Sequence, residues 1–356
     1  MKIITIAGTR PELIRLSEII KKLDIYFDHI FVHTGQNFDV HLRDNFFNDL
    51  NLRQPDYQFN LKEKTIGFNF ISKMFMDIEN VLMKEKPDRA LILGDVNSAL
   101  AAYVCKRMHI PIFHMEAGNR CYDDNVPEEI NRRIIDSCSD YLLTYTQRSR
   151  EQLLRENYPP NKIIVTGNPI TEVLYKYIDN IDDQKILKKY NVQNKKYILA
   201  TLHRTENITN QAVLYKICVA LNKISKKYII ILSVHPKLDS MLKEFNINLV
   251  KNIIKHSPFG FKEFIALMKN AKVVLTDSGT VPEECSLLKI PSVLIRTSTE
   301  RPELLENNSM VLSGIESSEI YNAFQIAVNS KMGTPPLDYQ DKNVSDKIIK
   351  ILAKNI

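Results

Sequence analysis

Short, apolar, β-branched runs recur along this chain, separated by longer stretches of helical period. The first is "KIITIA", and "HIFVHT", "RALILGD", "IPIFHM" and "YLLTYT" follow it. After "IIVTGNP" the series begins again with "YILATLH", "YIIILSVH", "VVLTDSG" and "PSVLIR". Within each run the apolar positions are nearly continuous rather than alternating, the pattern of parallel strands covered by helices on both faces. Strand and helix in this order predict an α/β protein with two doubly wound, Rossmann-like domains. A length of 356 residues suits two domains of ordinary size. The polar stretch "IDNIDDQKILKKYNVQNKK" and the loop before it, about residues 166–195, hold the expected boundary. We therefore expect a first domain over 1–167 and a second over 168–340. A final helix in 341–356 could return to the first domain. No short repeat or low-complexity segment interrupts the pattern.

The polar residues fall where these runs end. "TIA" leads to Gly8, Thr9, Arg10, Pro11 and Glu12; "LIL" leads to Gly94 and Asp95; "IFHM" leads to Glu116, Ala117 and Gly118. In the second half "ILATL" leads to His203 and Arg204, "IILSV" to His235, and "VVLTD" to Ser278 and Gly279. Every one of these stands at the carboxyl end of a predicted strand, the edge at which open α/β sheets bind ligands. A single aspartate or serine there is usually a helix cap. The recurrence in both halves instead predicts a cleft between two facing domains, with carboxylates and anion binders on its walls.

Two loops have the chemistry of phosphate sites. In "TDSGTVPEE", Pro282 suits a helix's first turn, so a helix should begin just after Ser278 and Gly279. Its free N–H groups and the missing glycine side chain would admit an anion. Glu283 and Glu284 favour the helix dipole there. A carboxylate beside a diphosphate would be repelled, so a functional one should point away and accept from ribose hydroxyls. In "GTRPE", Arg10 offers a planar fork matched to diphosphate oxygens.

Composition narrows the partners. With 44% hydrophobic and 25% charged residues the chain is of the soluble globular class. No apolar run reaches membrane-spanning length, and the apolar run at the N-terminus is too short for a signal peptide. Five scattered cysteines without a C-x-x-C pair argue against a disulfide framework and a zinc site, and fit a reducing cytoplasm. The net charge of +6 is spread along the chain without the aromatic interleaving of a nucleic-acid groove. No G-x-G-x-x-G follows the first strand and no P-loop occurs, so nicotinamide, flavin and P-loop nucleotide chemistry are not expected. His33, His203 and His235 lack the zincin spacing. His33 suits a structural strand end, whereas His203 and His235 stand beside the expected cleft.

Taken together, "GTRPE", "HTGQN", "GDVNS", "HMEAGNR", "PEEINRR", "VTGNP", "LHRTEN", "SVHP", "DSGTVPEE" and "TERPE" resemble the non-hydrolysing UDP-N-acetylglucosamine 2-epimerases. The resemblance runs from about residue 3 to 315. It implies the two-domain GT-B fold, a homodimer, a UDP-sugar substrate, and no cofactor or metal. It also implies the chemistry. A C2 hydrogen on a sugar without an adjacent carbonyl is too weakly acidic for direct removal. The family expels UDP from C1 as the C2 proton is taken, giving a 2-acetamidoglucal. Readdition of UDP with protonation from the other face then inverts C2. That sequence needs acid–base groups near C2 and a firm hold on the diphosphate.

Residue by residue, Asp95, Glu116 and Glu128 match the family's catalytic carboxylates and His203 its catalytic histidine. Arg10, Ser278 and Gly279 match diphosphate contacts. Glu284 matches the ribose-binding carboxylate, Arg301 another cleft residue, and His235 a position near substrate. This chain departs in places. Arg15 stands where the commonest members carry a lysine. "EAGNRC" replaces their "EAGLRTG", and the loop to "PEE" is two residues shorter. "HTGQN", "EAGNRC" and "VPEEINRR" look closer to the branch that acts on 6-deoxy sugars and makes UDP-N-acetyl-L-fucosamine, which leaves the sugar open. Regulated members bind a second UDP-GlcNAc as activator after "TGQ". Gln36 is kept, but Asp39 and Lys64 replace their glutamine and arginine, so dependence on the activator is not expected. A GT-B glycosyltransferase and a non-catalytic nucleotide-sugar sensor share the fold. The acid–base set exceeds what the former requires, and a sensor has no use for buried charges.

Overall fold

The computed structural model describes residues 1–36, 47, 49–59 and 68–354. It divides into two compact units, Met1–Tyr175 with Asp338–Ile356, and Lys176–Leu337. The chain leaves the first unit inside the helix Pro169–Tyr177.

The first unit holds seven strands: β1 (Lys2–Ala7), β2 (Asp28–His33), β3 (Tyr57–Gln58), β4 (Arg89–Leu93), β5 (Ile112–Met115), β6 (Tyr141–Thr144) and β7 (Ile163–Val165). They lie in the order β3-β2-β1-β4-β5-β6-β7, all parallel. The second unit repeats the scheme with β8 (Tyr197–Leu202), β9 (Ile229–Val234), β10 (Ile253–His256), β11 (Val273–Thr276), β12 (Ser292–Leu294) and β13 (Met310–Leu312), ordered β10-β9-β8-β11-β12-β13. The fold is α/β of the GT-B class, two Rossmann-like units. In each, the strand order reverses beside the first strand: between β1 and β4, and between β8 and β11. That reversal leaves a crevice at the strand ends where a ligand can sit.

The strands are buried because each central one is sandwiched. Ile4 of β1 lies between Ile30 and Ala90, and Ala200 of β8 between Leu232 and Leu275. The covering helices obey the same logic. In the helix Phe68–Glu85, the buried residues Phe70, Met74, Ile78, Val81 and Leu82 form one stripe at helical spacing. Helix α1 (Arg10–Tyr26) buries Leu13, Leu16, Ile20 and Leu23. The last helix, Val344–Ala353, packs on α1 within the first unit. There Lys22 Nζ lies 2.6 Å from Asp346, and Glu172 accepts from the Ser345 N–H at 2.8 Å.

Three strands carry little sequence signal. β3 is two residues long, β10 has the half-exposed sequence "IIKH", and β13 is a three-residue edge strand. Edge strands this short leave little open backbone for pairing with other chains.

Candidate active site

In the first unit the loops after β1, β4 and β5 adjoin. Helix α1 begins at Arg10, which is half-buried. The turn before it is held by Glu12, which accepts from Gly8 N at 3.0 Å, Thr9 N at 2.7 Å and Thr9 Oγ1 at 2.7 Å. Ser98 Oγ, beyond β4, also reaches the Glu12 carboxylate at 3.3 Å, so this residue joins two loops. Burial pushes Glu12 up to about 7 despite those donors. Gly8 must lack a side chain, because a Cβ would run into Thr34 and Ser98.

Asp95 follows Gly94 at the end of β4. Arg132 donates to its Oδ2 from Nε and Nη2, and Asn131 holds its carbonyl at 2.9 Å. Glu116 follows β5 with φ +71°, a left-handed conformation that few non-glycine residues adopt. Its Oε2 lies 3.9 Å from Arg15 Nη1, and a Cβ on Gly94 would stand 3.7 Å from the same oxygen. Glu116 and Asp95 therefore present their carboxylates from neighbouring strand ends. Arg15 is buried beside Glu116, as its cationic partner.

The helix Pro127–Cys138 separates two adjacent glutamates. Glu129 is fully buried; it accepts from Cys121 N at 3.0 Å and Tyr122 N at 3.2 Å and pairs with Arg132 and Arg133. Burial raises it, but Cys121 and Arg132 outweigh burial and hold it below the usual carboxylate range. Glu128 is half-buried and lies three and four residues before Asn131 and Arg132, on the helix face that grips Asp95. The structure thus brings Asp95, Glu116 and Glu128 to one end of the first sheet.

In the second unit, Asp277 organises the strand ends. Completely buried, it accepts from His203 N at 3.0 Å, Arg204 N at 3.0 Å and Asn207 Nδ2 at 3.3 Å. The His203 ring lies above it, Nδ1 3.3 Å from Oδ1, with its side chain about half exposed. Ser278 Oγ lies 3.1 Å from Thr280 Oγ1 and accepts from Thr280 N at 3.3 Å. Gly279 is bare backbone, since a Cβ would run into the Glu300 carboxylate, itself held by Arg296 at 2.9 Å. Glu284 is buried in the first turn of the helix Val281–Leu287. Arg301 is 2% exposed and its Nε donates to buried Glu283, so its fork is engaged inside the protein. His235 caps the helix Pro236–Glu244, its Nδ1 accepting from Lys237 N at 3.4 Å. His33 is buried at the end of β2, accepting from Gly35 N at 3.1 Å. Gln36 accepts from Ser98 N at 3.1 Å. Asp39 and Lys64 lie outside the described residues.

Sequence reasoning set Glu12 at a strand end without giving it a role, and passed over Glu129, Arg132 and Asp277. Glu12 had a signal, the T-x-x-E spacing of a capping box before an apolar run. Arg132 and Asp277 meet partners far away in sequence, and nothing local announces them. Among the described residues no group of His, Cys, Asp and Glu is arranged to hold a metal ion, and no helix is long and apolar enough to cross a membrane.

Residues 21–353 match the family model described as UDP-N-acetylglucosamine 2-epimerase. A curated relative from Methanocaldococcus jannaschii, named UDP-N-acetylglucosamine 2-epimerase, is 39% identical over 99% of both chains. A solved structure of the UDP-GlcNAc 2-epimerase from that organism, in complex with UDP-GlcNAc and UDP, superposes with a TM-score of 0.93 at 37% identity, covering 99% of both chains. A Pseudomonas aeruginosa relative named UDP-2,3-diacetamido-2,3-dideoxy-D-glucuronate 2-epimerase is 34% identical over 99% of this chain and 100% of its own. The chain belongs to the UDP-N-acetylglucosamine 2-epimerase family.

Proposed function

We propose that this protein is an isomerase that interconverts UDP-GlcNAc and UDP-ManNAc by inverting C2 of the sugar. The observation that carries the reading is the convergence of Asp95, Glu116 and Glu128 at the end of the first sheet, in a chain matching the family over nearly its whole length. The proton on C2 is removed as the C1–O bond to UDP breaks, leaving 2-acetamidoglucal and UDP. UDP then adds back to C1 while a proton reaches C2 from the opposite face.

Glu116, Asp95 and Glu128 supply acid–base groups on the sugar. Arg15 stands 3.9 Å from Glu116 as its cationic neighbour, where it can hold the carboxylate in place against the sugar. His203, oriented by Asp277, acts on the leaving group with Arg10, Ser278 and Gly279, which stabilise the departing diphosphate. Glu284 accepts from the ribose hydroxyls. His235 touches substrate through its exposed ring. The engagement of Arg301 with Glu283 supports a supporting role under the Ser278 loop rather than a direct grip on phosphate. The 6-deoxy-sugar and glycosyltransferase readings are not favoured by the relatives, which carry epimerase names and D-sugar substrates.

The enzyme acts in the cytoplasm as a homodimer in this reading. Large exposed apolar residues on three adjoining helices, Met76, Met83, Tyr103, Ile130 and Ile134, support the dimer, which sedimentation would reveal.

The deciding experiment is NMR of the purified protein with UDP-GlcNAc in D2O. Deuterium at C2 together with UDP-ManNAc signals establishes the reaction. Binding without exchange would remove it, and turnover that appears only with an added acceptor would transfer the assignment to a glycosyltransferase.

A further inference from the structure

One buried charge takes no part in the reaction as proposed, yet its bonds reach both carboxylate-bearing loops. Asp136, in the helix Pro127–Cys138, is completely inaccessible, as is His114 on β5. Asp136 Oδ1 lies 2.8 Å from His114 Nδ1. Its Oδ2 accepts from Gly118 N at 3.2 Å and lies 2.8 Å from Arg120 Nη1. The other nitrogen of His114 reaches the carbonyl of Gly94 at 2.9 Å. Gly94 immediately precedes Asp95, and Glu116 lies between His114 and Gly118 in the chain. Gly94, Glu116 and Gly118 all have left-handed backbones, with φ of +79°, +71° and +79°. For Glu116 that conformation is unfavourable and persists only where surrounding contacts impose it.

We propose that Asp136 is a positioning residue for the epimerisation: through His114 and Gly118 it fixes the loops that present Asp95 and Glu116, with Arg120 as its second counter-charge. This rests on the epimerase reading above. A merely structural ion pair could tie this helix to the sheet at any point. This one ends on the backbone groups that flank the two reacting carboxylates.

The hydrogen bonds also fix what the ring must offer. Both partners of His114, a carboxylate and a carbonyl, present only acceptor oxygens, so each bond takes a ring N–H. The cluster is balanced. His114 and Arg120 face Asp136, and Arg120 also forks onto Glu156 at 2.9 and 2.6 Å. Burial alone would raise Asp136, but His114 and Arg120 outweigh it and keep the carboxylate ionised.

Two variants separate positioning from packing. His114→Phe keeps a ring in place but removes both bonds. Asp136→Asn can keep the geometry, because the amide oxygen accepts from Gly118 and Arg120 while its NH2 donates to a neutral ring. The Nε2–H of that ring still reaches Gly94. His114→Phe should lower kcat about 10–100-fold with KM for UDP-GlcNAc within about twofold. Asp136→Asn should retain most of the kcat that His114→Phe loses. Independently of turnover, 15N-histidine spectra should show His114 protonated on both nitrogens in the parent and as the neutral Nε2–H tautomer in Asp136→Asn. A folded His114→Phe enzyme with parental kcat would overturn the proposal, as would a parental His114 ring with one bare nitrogen. If His114→Phe does not fold, loss of kcat in Asp136→Asn as deep as in Glu116→Gln would overturn it. An inactive parent protein would instead sink the epimerase reading, and the ring spectra would still decide the hydrogen-bond network.

Discussion

Arg132 donates from Nε and Nη2 to one oxygen of Asp95, at 3.1 and 2.6 Å, while its Nη1 turns to Glu129. One guanidinium therefore aims the carboxylate proposed to act on the sugar and neutralises a buried one. Arg132→Met should destabilise the protein by about 3 kcal/mol, because buried Glu129 loses one of its two cationic partners and keeps only Arg133 and two backbone N–H groups. Arg132→Lys restores a charge but not the fork, so it should recover stability more than kcat. Thermal unfolding alongside steady-state kinetics checks both, and equal recovery of the two would contradict the division.

The adjacent glutamates at the start of the same helix should behave oppositely. Glu128→Gln should abolish C2 exchange with little change in Tm, since Glu128 is half-buried and proposed to act on the sugar. Glu129→Gln should lower Tm markedly, because it withdraws an ionised acceptor from the Cys121 and Tyr122 N–H groups and from Arg132. Removing one partner of a buried ion pair costs about 3–5 kcal/mol. Exchange lost only in Glu129→Gln would reverse the roles given to the pair.

The pattern of strand ends made the location of the proposed site legible, because parallel strands announce themselves as apolar runs and the candidate groups follow directly. Asp95, Glu116 and Ser278 are visible in that way. The two glutamates of "PEE" are not distinguishable in sequence. Glu129 turns inward to Cys121, Arg132 and Arg133 and is fully buried, whereas Glu128 stays half-buried, and a rotation of about 100° along the helix separates them. Nor does sequence reveal that Arg301 is consumed by Glu283, or that His114 supports the Gly94 carbonyl. Those pairings join residues 18–20 positions apart through the tertiary fold. The edge strands β3 and β10 escaped because short, half-exposed segments lack periodicity.

Glu12 gives the first unit a distinctive response to pH. Its folded value of about 7 lies above the 4.5 of a free glutamate, so the folded state holds the proton more tightly. Between those values the unfolded chain is already ionised and the folded one is not, so stability falls as pH rises. Above about 7 the penalty is complete, and it amounts to roughly 3 kcal/mol. Glu12→Gln removes this contribution. Its stability relative to the parent should therefore rise between pH 5 and pH 8, measured by urea unfolding at each pH. A difference that stays constant across that range would mean Glu12 does not titrate there.

Gly279 tests the hold on the diphosphate. A methyl group there runs into the Glu300 carboxylate, which cannot swing away freely because Arg296 holds it and it is 6% exposed. Gly279→Ala should raise KM for UDP-GlcNAc and weaken UDP binding about tenfold, or roughly 1.4 kcal/mol. Calorimetric titration with UDP reads this directly, and unchanged affinity would remove Gly279 from the binding loop.

Asp277 joins the histidine to the binding loop, because it accepts from the backbone of His203 and Arg204 and immediately precedes Ser278. An asparagine there offers one acceptor oxygen and turns an NH2 group toward N–H donors, so at least one of those bonds is lost. Displacement of both neighbours should lower kcat and raise KM together in Asp277→Asn. His203→Asn leaves the backbone bonds in place and should lower kcat about 10²–10⁴-fold, the range of a lost general acid–base group, with KM little changed. Because the two variants touch the same histidine, a KM effect in only the first locates Asp277 beneath both functions. Matching KM values in the two variants would confine Asp277 to the histidine alone.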